Sequence, residues 1–321
     1  MAKASESIPI LIFHKGNSPY LRDCLVQARK TNPSSRLILL GDKENECLAQ
    51  DEALEGLEHF DADSFPGFKE FLPIYRHCSF LNYNFEIVCI QRWFVMRDWA
   101  RQFGIKRFLH LDSDVLLFCN VTELAQRFDK YDMTFMRWDA DRLLAHFFLL
   151  NRIEFLDEFC EYILKIYQND SEFERLVKRS MNENRVRQQD PWISDMSLLA
   201  GFYDVSGCNA YFLENAREEG LFFDDRITLA GSFQKEFGIL RKHKIKKVRF
   251  LDGHPFVFTQ EGRPMEVQIL HFHAFTKLLM HNFVRGRNPR WLFFWYTLIL
   301  EHKMVKRFMK KGIYSPKILF F

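Results

Sequence analysis

The chain has 321 residues, 47% of them hydrophobic and 27% charged, with 35 phenylalanines against only 14 glycines. That is apolar material for one large core or two small ones, and it excludes a disordered or low-complexity chain. The net charge of +3 is too small to signal a nucleic-acid partner, and its basic excess is local: from Arg285 onward nine basic residues meet one acidic residue, Glu301.

In chain order, Ile8–Phe13 (IPILIF) is a continuous apolar run, as expected of a strand buried on both faces. A polar turn over His14–Pro19 leads to a predicted helix at Tyr20–Lys30. Asn32 and Pro33 break it, and Arg36–Leu40 (RLILL) follows as a second buried strand. Strand, helix, strand at this spacing is a βαβ unit and implies a parallel sheet. Periodicity then predicts a helix over Glu86–Gln102, a third strand at Arg107–Leu111 running into Asp112-Ser113-Asp114, and a fourth at Met133–Trp138. Residues 141–187 read as helical and charged, Gln188–Gly201 as irregular, and Val248–His254 and Glu266–His273 as late strands. Pro289 opens a last helical segment that stops at Gly312. Open parallel sheets bind ligands beyond the carboxyl ends of their strands, which is where His14–Ser18 and Asp112–Asp114 both fall.

Asp112 and Asp114, two apart at the end of an apolar strand, suit a Mg²⁺ or Mn²⁺ ion that takes its remaining ligands from phosphate and water. Such an ion would neutralise a leaving diphosphate. In the Glu86–Gln102 helix the polar positions 86, 91, 97, 98, 101 and 102 share one arc, and Arg92 projects roughly 80° beyond it, between Val88, Met96 and Trp99. An inward arginine requires an anion: donor phosphates, the aspartate pair, or a structural carboxylate. Val267, Ile269, His271 and His273 share one strand face, so either histidine is a candidate third metal ligand, and Lys277 would reach a diphosphate as a point charge.

This combination resembles the family 8 glycosyltransferases and their GT-A relatives, whose late motif H-[FY]-x-G-x-x-K is matched by His271-Phe272-His273-Ala274-Phe275-Thr276-Lys277 with alanine in place of glycine. The resemblance implies an α/β fold of GT-A type. Its Rossmann-like, mostly parallel central sheet is flanked by helices over residues 1–280, and a C-terminal basic, aromatic helical tail follows at 281–321. It implies Mn²⁺ (or Mg²⁺) held by Asp112, Asp114 and His271, and donor phosphate held by Lys277. It further implies a sugar-holding acidic segment, for which Asp190 and Asp195 are the candidates. The nucleotide would lie just after the first strand, at Phe13, His14 and Asn17, with Arg92 and Ser113 also on the donor side. The implied donor is a nucleotide sugar, a UDP-hexose, and the acceptor a hydroxyl of a saccharide or lipid-linked saccharide, with retention of anomeric configuration. Asp195 would alternatively serve an inverting enzyme as base.

Two other functions use the same residues. A haloacid-dehalogenase-like phosphatase would take Asp112 as its nucleophile, but that pattern has Thr or Val where Leu116 stands, and its motif sits on the first strand. A catalytically degenerate carbohydrate-binding protein would keep the fold without the chemistry. Seven scattered cysteines without a CxxC pair exclude a zinc knuckle. Met1–Ser7 has no apolar stretch of the signal-peptide kind, and Trp291–Leu300 is about half of the ~20 residues a membrane span requires, so a cytoplasmic protein is expected. Lys303, Lys306, Arg307, Lys310 and Lys311 fall on one face of the tail. They suit either peripheral contact with an anionic inner membrane face or a helix packed on the domain with its lysines in water. The basic run Lys242–Arg249 reads as a solvated strand edge, not a nucleic-acid site.

Overall fold

A computed structural model describes residues 7–184, 192–229, 231–237 and 244–286. The first half contains strands β1 (Ile10–Phe13), β2 (Leu37–Gly41), β3 (Leu57–Asp61), β4 (Phe108–Leu111) and β5 (Val115–Leu117). Interspersed with them are helices α1 (Pro19–Thr31), α2 (Gly67–Phe71), α3 (Tyr83–Gln102) and α4 (Val121–Arg127). Next come β6 (Met133–Asp139), β7 (Arg142–Leu144) and β8 (Phe147–Leu150), then α5 (Glu154–Gln168), α6 (Asp170–Asn184) and α7 (Asp195–Ser206). The remainder is β9 (Ala210–Phe212), β10 (Leu221–Phe223), β11 (Lys235–Phe237), β12 (Lys244–Lys246), β13 (Val248–Leu251), β14 (His254–Phe258), β15 (Pro264–His271) and α8 (Met280–Val284).

The main sheet has the order β3-β2-β1-β4-β8-β6-β7, with β9 also paired to β6. β1 is parallel to β2 and β4, β2 to β3, and β6 to β9. β8 is antiparallel to β4 and β6, and β7 to β6. The mostly parallel α/β sheet flanked by helices is therefore as expected. Alternation along each strand explains the layers. Ile10, Ile12, Leu37, Leu39, Leu109 and Leu111 face a cluster completed by Leu21, Cys24, Leu25 and Ala28 of α1. Leu11, Phe13, Ile38, Leu40 and Phe108 face the opposite one, with Trp93, Phe94 and Trp99 of α3 and Phe155 and Phe159 of α5.

Three readings are corrected. Residues 141–187 begin with the strands β7 and β8 before α5 and α6: LLAHFFLL (143–150) is buried along its whole length and so lacks the polar stripe of a surface helix. The stretch 188–201 ends in a helix, α7, whose Asp195 and Ser197–Phe202 are buried, again erasing the amphipathic signal. Glu86, Gln91 and Arg97 of α3, grouped above in the polar arc, are buried: Arg97 pairs with Glu70 of α2 and with Asp98, and Glu86 accepts from Trp192.

A smaller sheet, β10-β15-β14-β13 with β5 paired to β15, lies beyond the end of β4. β5 and β15 are antiparallel with Val115 opposite His271, and Phe272 N donates to the Asp114 carbonyl at 2.8 Å. The Asp112–Asp114 turn is thus the hinge between the two sheets, and β15 delivers His271 beside it. α8 packs Met280 and Phe283 into the core. Residues 287–321, and with them most of the expected tail, lie outside the described residues, as does Asp190. No described helix is long and apolar enough to cross a membrane.

Candidate functional site

Arg92 reaches inward from α3 and joins two carboxylates that the sequence separates widely. Its Nη1 donates to Asp112 Oδ1 at 2.5 Å, and its Nη2 donates to Asp195 Oδ2. Trp93 Nε1 also donates to Asp195, at 3.4 Å. Burial alone would raise the Asp112 pKa, but Arg92 and then His110, whose Nε2 lies 3.3 Å from Oδ1, hold it well below the usual carboxylate range. Arg92 is 7% exposed, so this charge is desolvated and needs both partners. Its own pKa is raised: burial opposes the charge, and Asp112 and Asp195 more than offset it.

Asp114 is held differently. Lys277 Nζ lies 2.9 Å from Oδ2, and His271 Nε2 lies 3.6 Å from Oδ1. His271 Nδ1 donates to the Asp225 carbonyl at 2.6 Å, so in the neutral ring the Nε2 lone pair is directed toward the carboxylate. Burial works against the Lys277 charge, but Asp114 and the Tyr20 ring beneath it raise its pKa. His146, from the β7–β8 turn, stacks on His271 with ring centroids 4.3 Å apart; burial, then His271, lower its pKa to about 3. His273 is likewise lowered, to about 4, by burial and then by His271. The Asp112 backbone N–H donates to the His146 carbonyl at 2.7 Å.

These groups line a cavity of about 380 Å³ whose walls include Arg92, Asp112, Asp114, Asp195, His271, His273 and Lys277 together with Glu86, Trp138, His146 and Trp192. A second cavity, of about 790 Å³, is lined by the loop Lys15–Ser18, Tyr20, Asp42 and Glu44, and it shares Ala274 and Lys277 with the first. Asn45, fully buried, donates to the carbonyls of His14 and Gly16 and so fixes this loop. Gly16, at φ +84°, turns it back so that its own N–H meets Asp42 at 2.7 Å.

The structure thus brings together Asp112, Asp114, Arg92, Asp195, His271 and Lys277, and Asn17 lines the neighbouring cavity. Phe13 is not brought there: it is buried in the core against the α3 face. His14 and Ser113 are buried against one another, Ser113 Oγ to His14 Nδ1 at 2.8 Å. Burial, then Lys277, lower the His14 pKa to about 4. Between His271 and His273 the geometry distinguishes: His271 Nε2 faces Asp114, whereas His273 Nε2 lies 3.4 Å from Thr228 Oγ1. Among the described residues no three His, Cys, Asp or Glu side chains are arranged to hold an ion as they stand; Arg92 pairs with Asp112 and Lys277 with Asp114. Sequence reasoning missed Glu86, His146 and the Asp224–Lys246 pair described below. The histidine in the apolar run LLAHFFLL was a visible signal; the others were hidden by their charged company.

No protein-family profile matches the chain, and no curated protein matches it by sequence. Its fold is similar to those of several solved structures. An active-site mutant of LgtC is 14% identical with a TM-score of 0.46, over 87% of this chain and 95% of that one. Mouse xyloside xylosyltransferase 1 is 10% identical with a TM-score of 0.44, over 64% and 85%. The glycosyltransferase GlyE of Streptococcus pneumoniae TIGR4 is 17% identical with a TM-score of 0.38, over 67% and 47%.

Proposed function

We propose that this chain is a glycosyltransferase that moves a hexose from a nucleotide sugar, a UDP-hexose, to a hydroxyl of a saccharide or lipid-linked saccharide. The observation that carries the reading is the convergence of Asp112, Asp114, His271, Arg92 and Asp195 on the wall of one cavity with Lys277, which also lines the larger one. The larger cavity, at the carboxyl end of β1, has the volume for a nucleotide. Lys277, common to both, is placed for a diphosphate that bridges them. Arg92 orients Asp112 and Asp195, and Asp195 in turn is a hydrogen-bond acceptor for hydroxyls of the transferred sugar.

The donor set fits a divalent ion in chemistry. Asp114 and the His271 lone pair are two acceptors facing each other, and Asp112 is held ionised beside them. We propose these three as ligands of Mn²⁺ or Mg²⁺, which when bound supplies charge neutralisation to the leaving diphosphate. With Asp114 engaged in that way, Lys277 would be free to meet phosphate oxygens. The motif resemblance implies retention at the anomeric carbon. A phosphatase reading is less well supported, since Asp112 is clamped by Arg92 and follows the fourth strand, not the first.

The test is hydrolysis of UDP-, GDP- and CDP-hexoses with Mn²⁺ or with EDTA, using Asp114→Asn as control. Turnover of a UDP-hexose that requires the ion and falls at least a hundredfold in the variant is expected. No turnover of any donor, with no ion-dependent thermal shift by UDP, would end this reading.

A further inference from the structure

Four carboxyl groups line the smaller cavity, and three of them have cationic partners: Asp112 and Asp195 share Arg92, and Asp114 has Lys277. Glu86 makes no ion pair among the described residues. It sits near the start of α3, 1% exposed, and its Oε1 accepts from Trp192 Nε1 at 3.0 Å. Its Oε2 is buried and has no hydrogen bond of ordinary geometry among the described residues. Burying a carboxyl without a cation is costly, so a fold that keeps one there requires an account.

The surroundings supply one. Phe85, Cys89 and Arg92 form a stripe at i, i+4 and i+7 along α3 that lines the cavity with Glu86 at its side. Glu86 is six residues, about 9 Å of helix rise, from Arg92 and hence from the Asp112 end. Around it the walls become aromatic: Phe85 is half exposed, and Trp192 packs edge-on against Phe80 with ring centroids 5.2 Å apart. Flat apolar faces beside a hydrogen-bonding oxygen suit a sugar ring, which is amphipathic in the same way.

Resting on the glycosyltransferase reading, we propose that this end of the cavity is the acceptor subsite, and that Glu86 receives the proton of the acceptor hydroxyl. The acceptor oxygen forms its bond to the anomeric carbon on the face that the diphosphate vacates, as retention requires, and its proton passes to Glu86. The bond from that carbon to the diphosphate oxygen breaks, and its electron pair leaves with the diphosphate. Asp195 is a weaker candidate for the same task, because Arg92 and Trp93 already engage its carboxylate.

The titration behaviour of Glu86 agrees with the geometry. Burial, aided by Asp195, raises its pKa to about 7, while hydrogen bonds from Trp192 and Ser79 hold it from rising further. The groups facing it are Asp195 of α7, Tyr167 of α5, Tyr75 ahead of α3, and Cys89 of α3 itself. A base of this kind is half ionised near neutral pH, where it both accepts and releases a proton.

The experiment compares the parent, Glu86→Gln and Trp192→Phe with UDP-glucose and UDP-galactose in Mn²⁺. It measures hydrolysis and transfer to free glucose, galactose, lactose and maltose between pH 5.5 and 8.5. In the parent, kcat should rise through an apparent pKa near 7. Glu86→Gln should lower kcat about a hundredfold and flatten that limb, with donor KM changed less than about threefold. Trp192→Phe should move the limb to higher pH, because it removes a hydrogen bond that favours the charged carboxylate. The glutamine can still accept from Trp192, and above pH 7 its neutral side chain should leave the melting temperature at or above the parent's. An unchanged kcat and pH profile in folded Glu86→Gln would overturn the assignment and give the proton to the leaving diphosphate. Absence of donor turnover in the parent would overturn the transferase reading as well, so the two failures are told apart by the parent alone.

Discussion

Ala274 holds φ at +50°, in the left-handed region that an L side chain occupies at a cost, and it lines both cavities. It stands where the resembling motif has glycine, the residue that takes this conformation at least cost. Ala274→Gly should therefore relieve about 0.5–1 kcal/mol of strain, seen as a raised unfolding midpoint in urea. It should also improve donor KM if the diphosphate passes over this turn, since the backbone could then approach more closely. An alanine that stabilises better than glycine here would show that the strain is relieved elsewhere. The motif was legible as letters because its spacing is local. Which histidine faces Asp114 was not, because it depends on the Asp225 carbonyl, which engages the His271 ring from 46 residues away.

The elements around β15 show how a site is supported from behind. Lys246, 1% exposed on β12, places its ammonium 2.7 Å from Asp224 Oδ1 and 2.6 Å from the Arg226 carbonyl. Asp224 Oδ2 accepts from the His271 backbone N–H at 3.1 Å, and the next carbonyl, that of Asp225, accepts from the ring. The ion pair thus fixes the segment that orients His271. One lysine of a run read from sequence as a solvated strand edge is therefore a core residue, because the segment 224–227 after β10 meets its ammonium and its backbone. Lys246→Met should cost about 3–5 kcal/mol by leaving Asp224 buried without a cation. Adding Asp224→Asn should return part of that stability. Neither variant should restore full Mn²⁺ affinity, which is expected to fall 10–100-fold when the support of a ligand is lost. Urea midpoints and Mn²⁺ titration by calorimetry measure the two effects separately.

Across the whole molecule, the buried histidines set the response to acid. Burial lowers the pKa of His14 and of His273 to about 4 and that of His146 to about 3, and it lowers His110 as well. A histidine whose pKa is depressed by folding binds fewer protons than the unfolded chain between about pH 4 and 6.5, so stability falls as pH drops through that window. Glu86, raised to about 7, acts in the opposite sense and loses stability as pH rises toward neutrality. The several histidines outweigh the one carboxyl, and the melting temperature in EDTA should be several degrees lower at pH 5 than at pH 7.5. A melting temperature flat between these values would mean that the rings are solvated in the folded state.

The βαβ start, the strand that ends in Asp112-Ser113-Asp114, the inward Arg92 and the His271–Lys277 motif were all readable in the chain. Each is a short-range pattern: apolar runs, a period of 3.6 or 2, or a fixed spacing of chemical groups. What only the folded chain decided is which of these groups meet. Arg92 finds Asp195 across 103 residues, the smaller sheet brings His271 to Asp114, and burial on every side turns Glu86 from a surface residue into a cavity group. Strands β7 and β8 and helix α7 escaped for the same reason. Buried on both faces, they show no alternation of polar and apolar residues, and periodicity records an element only while one side of it faces water.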